Sequence, residues 1–237
     1  MSGAAAYGLD LLVFAAHPDD AEIGMGGTIA KAVRAGQRVG VVDLTYAEMS
    51  SNGDVKTRQR EAAQASRTLG LAVRENLGLP ARRLACVPDQ LDRMVEAIRR
   101  HRPRVVFAPY IADRHPDHVQ CGRMAEEAVF SAKLRRYLPD GLPAWTVDSF
   151  FYYYINGVHA PQLVVDVSAV HAVKMEALRA YRSQFEPDDS VPDRVATPLT
   201  VGYLDSVEAR DRLFGQPKRM AYAEGFAAAG PVAIELF

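Results

Sequence analysis

The sequence predicts an α/β fold: a doubly wound, mostly parallel sheet with helices on both faces. Two observations carry this. Short apolar runs alternate along the chain with stretches of helical periodicity, the pattern of repeated β-α-β units. The runs are mostly apolar and too short for helices, as strands covered on both faces are. In such sheets ligands bind beyond the carboxyl ends of the strands, so those ends are where chemistry is expected.

Residues 9–16 (LDLLVFAA) form the first predicted strand, which runs into His17-Pro18. Residues 24–35 follow as a helix stopped by Gly36, and 38–45 (RVGVVDLT) as a second strand. Asn52-Gly53 makes a turn, and Asp54 caps a helix to about Leu69 that stops at Gly70. Residues 87–101 form a helix with Leu91, Met94, Val95 and Ile98 on one face. Residues 104–109 (RVVFAP) are a strand, 117–133 a helix, and 148–155 and 162–167 two further strands. Ser168 is placed as the cap of a helix reaching 185, with Val170, Val173, Ala177, Leu178 and Tyr181 at helical spacing. Residues 186–198 (EPDDSVPDRVATP) read as a surface loop that would gate or extend a pocket, and helical pattern resumes near Thr200. Nothing divides the chain, so 1–237 is expected to be a single domain.

Composition excludes several classes. The chain has 237 residues, 49% hydrophobic and 24% charged, which fits a soluble globular protein. A net charge of −1 gives no support for a nucleic-acid or anionic-membrane binder. No uncharged apolar run reaches the length of a membrane span, and the start MSGAAAYGLD lacks the basic region of a secretory signal. Cys86 and Cys121 make no disulfide framework and read as buried thiols. The expected setting is reducing and cytoplasmic.

Chemistry concentrates in two motifs at predicted strand ends, His17-Pro18-Asp19-Asp20 and His115-Pro116-Asp117-His118. Proline stiffens each turn, so residues three apart can face one centre. Two histidines and an aspartate suit a divalent metal with open positions. The donor types fit zinc, with iron, cobalt and manganese open. One three-ligand set is His17, Asp20 and His118. It leaves Asp19 beside the metal and unbound, placed to take a proton from an activated water. The plainer reading of either motif alone is a capped turn, and Asp117 would serve as a helix N-cap.

A rival lies in Gly24-Met25-Gly26-Gly27, which opens a helix after a strand, with Asp43 about 20 residues on. This mimics a dinucleotide fingerprint and would make the protein a nicotinamide-dependent oxidoreductase. The glycine order differs from G-x-G-x-x-G, and the turn beside the strand is His-Pro-Asp-Asp. The alternative for these glycines is close packing. No G-x-S-x-G elbow is present, which disfavours a serine hydrolase. A silent sugar-binding protein would have no need of Asp19.

AHPDDAEIGMGGTIAK followed by DRHPDH resembles the PIG-L/LmbE-type metal-dependent N-deacetylases. DLTYAEMSSNG, NLGLP, FAPYIADRHPDH, EEAVFSAKLRRYLP, YYINGVHAP, AYRSQF, TPLTVGY and YAEGF are similar to the branch that deacetylates N-acetylglucosaminyl malate for bacillithiol, including the Bacillus zinc-binding proteins. The resemblance runs from about Leu9 to Phe226. It implies a Rossmann-like domain, one zinc per chain on His17, Asp20 and His118, and Asp19 as general base. It also implies that His115 assists the reaction, that Asp117 orients His115, and that Arg58 binds or polarises the substrate carbonyl. Tyr203 would approach the site. Similar proteins form homo-oligomers, often hexamers.

The implied reaction is hydrolysis of an N-acetyl group on an amino sugar. His115 is expected to stabilise the oxyanion and protonate the leaving amine, its pKa raised by Asp117. Arg114 is a candidate contact for a malate carboxylate. Without the resemblance, Arg58 would read as a solvated helix residue and Tyr203 as a buried one. His101 and His171 read as surface residues, and His159 as a residue lining the site or an interface. Many relatives of the branch carry arginine and glycine where this chain has Tyr46-Ala47. This departure alters the mouth of the site and leaves other GlcNAc derivatives, such as chitooligosaccharides or an antibiotic precursor, as alternative substrates.

Overall fold

The computed structural model describes residues 7–138, 140–186 and 194–232. Among these residues, seven strands form one sheet in the order β3-β2-β1-β4-β5-β7-β6. They are β1 (Leu9–Ala15), β2 (Val39–Asp43), β3 (Val73–Asn76), β4 (Pro103–Pro109), β5 (Ser149–Tyr153), β6 (Leu163–Asp166) and β7 (Ala223–Ala228). The first five are parallel, and β7 runs antiparallel between β5 and β6. The mostly parallel α/β expectation therefore holds.

Alternate residues of β1 feed two cores. Leu11, Val13 and Ala15 pack with α1 (Asp20–Arg34), α2 (Val55–Leu69) and α5 (His171–Arg179). Leu12, Phe14 and Ala16 pack with α3 (Pro88–His101) and α4 (Pro116–Ala132). The chain moves outward from β1 to β3, then returns to β4 on the other side of β1. The ends of β1 and β4 thus flank the point where winding reverses, where such sheets place ligands.

Several boundaries differ from expectation. Helix α1 starts at Asp20 rather than residue 24 and is kinked at Met25 (φ −150°, ψ 24°). The predicted helix to 185 divides into α5 and α6 (Arg182–Phe185), and Val170, not Ser168, stands at the N-cap. Ser168 instead bonds Asp166. Strands β3 (VREN) and β7 (AEGFAA) were not expected. The first is a short polar edge strand, and the second lacks the β-branched residues that mark strands. Asp54 and Gly70 do bound α2: Asp54 accepts the Thr57 N–H, and Gly70 is left-handed at φ 73°. Residues 187–193 of the predicted loop 186–198 lie outside the described residues. After them, Asn52 exchanges two hydrogen bonds with the Val195 backbone. Helix α7 (Tyr203–Gly215) then leads to β7.

Candidate active site

Chain leaving β1 turns tightly. The Asp20 N–H donates to the His17 carbonyl, and Asp20 Oδ2 accepts the His17 N–H at 2.8 Å. Asp19 is forced to φ 124°, a conformation L-residues rarely adopt and one typical of functional turns. After β4, His115 stands at the N-cap of α4 with Pro116 in the first turn, and its Nδ1 accepts the Asp117 N–H at 3.2 Å. Both motifs open into one cavity of about 150 Å³ whose lining includes His17, Asp19, Asp20, Arg58, Arg82 and Arg114. His115, Asp117, His118, Asn156 and Tyr203 also line it. The candidate metal ligands, Asp19, His115, Asp117, Arg58, Arg114 and Tyr203 are therefore brought together, whereas His159 is not among the lining residues.

The donors converge on one centre. Ligand atoms of His17, His115 and His118 lie within 4.8 Å of one another. Asp20 reaches two of these rings, with Oδ1 3.1 Å from His118 Nε2 and Oδ2 3.4 Å from His17 Nδ1. Each of these rings is backed by a second carboxylate on its other nitrogen: Asp117 Oδ2 lies 3.1 Å from His17 Nε2, and Asp113 Oδ1 lies 3.0 Å from His118 Nδ1. Carboxylate-backed histidines facing a further carboxylate are the usual surroundings of a divalent metal. The electrostatics agree. Burial opposes charging of His118, yet Asp20 and Asp113 outweigh it and lift its pKa to about 10. Burial is likewise overcome at Asp20, which His118 and His17 hold well below the usual carboxylate range. The residues present fit a metal such as zinc.

Two expected roles change. Asp117 does not contact the His115 ring through its carboxylate, which is taken by His17 and by the Arg82 N–H at 2.9 Å. The His115 ring meets Asp117 through the Asp117 backbone N–H. Its pKa is lowered to about 4 rather than raised, first by burial and then by repulsion from His17 and His118. Arg58 is buried, and its Nη2 donates to Asp19 Oδ2 at 2.7 Å while Nε donates to the Pro18 carbonyl. Burial raises the Asp19 pKa to about 7, against the opposing pull of Arg58. Among the described residues, Nη1 of Arg58 has no hydrogen-bond partner.

Around the rim, Arg114 and the Tyr203 hydroxyl both donate to Asn156 Oδ1, at 3.1 and 3.0 Å. Ala47 adopts φ 54°, a conformation that favours glycine. Arg82, Asp113 and Asn156 were missed from sequence. Asp113 lies only two residues before the second motif, which was its one available signal. Beyond the site, Cys86 is exposed rather than buried. His171 is buried, not at the surface, and stacks on Tyr222 at 3.7 Å. His159 lies on the flank, with Nε2 2.9 Å from the Ala112 carbonyl.

The glycine stretch holds no dinucleotide cradle. Carboxylate oxygens of buried Glu224 accept the Gly27 and Thr28 N–H groups at 2.9 and 2.6 Å, filling the place a phosphate would need. A Cβ on Gly24 would lie 2.2 Å from the Tyr153 ring, and one on Gly27 2.8 Å from Val167. These glycines serve close packing.

The fold and site define an α/β protein with a histidine–aspartate cluster, fit to hold a metal, at the winding switch. Residues 12–129 match the PIG-L family, described as GlcNAc-PI de-N-acetylase, and the chain belongs to that family. It is 32% identical over 186 residues to the diacetylchitobiose deacetylase of Thermococcus kodakarensis, covering 73% of this chain and 68% of that one. It is 30% identical over 189 residues to the probable N-acetyl-α-D-glucosaminyl L-malate deacetylase 2 of Bacillus subtilis, covering 74% and 83%. A crystal structure of a conserved protein from Thermus thermophilus superposes with a TM-score of 0.86 at 43% identity, covering 95% and 97%.

Proposed function

We propose that the protein is a single-domain, zinc-dependent N-deacetylase that removes the acetyl group from a small N-acetylglucosamine conjugate, N-acetylglucosaminyl malate first among them. The observation that carries this is the pairing of two adjacent carboxylates with different partners. Asp20 faces His17 and His118, whereas Asp19 faces Arg58 and has a pKa near neutrality. One belongs to a cation site, and the other is poised as a base.

His17, Asp20 and His118 would hold the metal, with Asp117 and Asp113 orienting the two rings. His115 is the less suitable ligand, because its Nδ1 already accepts a backbone N–H and the neutral ring then carries its proton on Nε2. When bound, the cation supplies charge that polarises the acetyl carbonyl and acidifies water. Asp19 Oδ takes the proton from the attacking water and returns it to the nitrogen of the departing amine, so one group closes the proton balance. His115 Nε2–H donates to the oxyanion of the tetrahedral intermediate. Arg58 holds Asp19 ionised and in place.

The cavity is small beside the roughly 300–1,000 Å³ of drug-sized sites, so it suits the acetamido end of a substrate. The remainder projects past Met49, Arg82 and Arg114. Two arginines at the rim favour an anionic group there. The test is kcat/KM for acetate release from N-acetylglucosaminyl malate, diacetylchitobiose and N-acetylglucosaminyl inositol. The malate conjugate should lead by at least tenfold, and equal values would remove the malate assignment while keeping the deacetylase. The resemblance also supports a homo-hexamer, which sedimentation of the purified protein tests, and the lack of a disulfide framework supports a cytoplasmic setting.

A further inference from the structure

Asn156 is a junction between the two halves of the site. Its side-chain oxygen receives both rim donors, Tyr203 Oη and Arg114 Nη2. Its Nδ2 donates to Asp113 Oδ1 at 2.9 Å, and its backbone N–H donates to Asp113 Oδ2 at 3.0 Å. Donors on one side and a carboxylate on the other leave one orientation for this amide. Asp113 Oδ1 also accepts the His115 N–H at 2.8 Å and faces His118 Nδ1. Its side chain is 4% exposed, so water does not compete for these bonds. Opposite a carboxylate, which only accepts, His118 Nδ1 must carry the proton. Nε2 is then the ring atom left facing Asp20 Oδ1 and the centre, where a bound cation would take its lone pair.

We propose that Asp113 and Asn156 are a positioning pair: Asp113 fixes the tautomer and direction of His118, and Asn156 ties that carboxylate to the Tyr203–Arg114 rim. Metal affinity and substrate binding are thereby linked through four side chains rather than set independently. The pair rests on the proposed metal site but not on any particular substrate.

The test measures zinc affinity of full-length protein by competition with a chromogenic chelator, alongside thermal unfolding of the chelator-stripped protein. Removing such a ligand-backing group typically weakens metal binding ~10–100-fold. Asp113→Ala should show that loss. Asp113→Asn, which keeps an acceptor oxygen, should recover part of it. Asn156→Ala should weaken zinc less, and at saturating zinc should raise KM more than it lowers kcat. Nitrogen NMR of His118 in zinc-loaded protein, assigned with His118→Ala, should show a protected Nδ1–H in wild type and a faster-exchanging one in Asp113→Ala. Affinities within twofold of wild type in both Asp113 variants would overturn the proposal. So would a loss that follows only the stability of the stripped protein, without rescue by asparagine. A wild type that binds zinc but releases no acetate would remove the proposed function and leave this pair standing. A wild type that binds no metal would remove both.

Discussion

Replacing Arg58 with methionine separates two roles the arginine can play. Resemblance places it on the substrate carbonyl, whereas the structure places its Nη2 2.7 Å from Asp19 Oδ2. With charge centres roughly 4 Å apart, such a pair attracts by about 4 kcal/mol at an effective dielectric of 20, or about three pKa units. Relaxation reduces this, so the Asp19 pKa should rise by roughly one to three units. The sign follows from the role: a base works when ionised, so a higher pKa moves the acid limb of kcat/KM to higher pH. At pH 7 the variant should lose roughly 5- to 500-fold for a wild-type limb at 7, and less for a lower limb, and recover part or most of it by pH 9. A bound cation also favours the ionised carboxylate, so the wild-type limb falls below 7 and the displacement is the quantity predicted. Because Asp19 can take up a proton, the fold should lose less than the roughly 3–5 kcal/mol of an ordinary broken buried pair. The assay is the pH profile of acetate release. A uniform loss with an unmoved limb would refute the Asp19 role and return Arg58 to the substrate.

Lys174 is fully buried between Asp211 and Glu224, each at 2.7 Å. Lys174→Met should cost about 3–5 kcal/mol and lower Tm by roughly 6–20 °C, and a loss under about 1 kcal/mol would mean the network is not a cohesive one. The raised His118 pKa stabilises the stripped protein most below its unfolded value of 6.5, and that stability is lost as pH rises toward about 10. Urea unfolding should therefore show stripped protein weakening over this window and zinc-loaded protein weakening less; parallel curves would contradict it. Calorimetric titration with NAD should give no binding heat, because Glu224 already occupies the helix amides. Saturable binding there would reopen the oxidoreductase reading.

The parts legible in sequence were those with local signals. Strands β1 and β4 announce themselves because both faces are covered, and each ends in a polar motif that has no place in a core. That juxtaposition made His17, Asp19, Asp20, His115 and His118 readable as one site. What stayed hidden depends on long-range pairing. Arg58 sits on a polar helix and is buried only because Asp19 lies across from it. Arg74 appears as one charge in a polar segment, yet it joins Asp43 and Glu22 beneath the site. Asn156 lies 43 residues from Asp113, and no spacing rule connects them. His171 looks like a surface residue until Asp211 and Tyr222 close over it. The glycine stretch misled for the opposite reason: its local pattern fits a phosphate loop, and only Glu224, from the unrecognised strand β7, shows that the anion is the protein's own.

The most direct test of the account is a paired one on purified protein: zinc per chain, and acetate released from N-acetylglucosaminyl malate, for wild type and Asp19→Ala. The account predicts one zinc in both, with turnover reduced by about three orders of magnitude or more in the variant, consistent with losing a general base and its positioned proton. Zinc lost together with activity would make Asp19 a ligand, and undiminished turnover would contradict the mechanism at its centre.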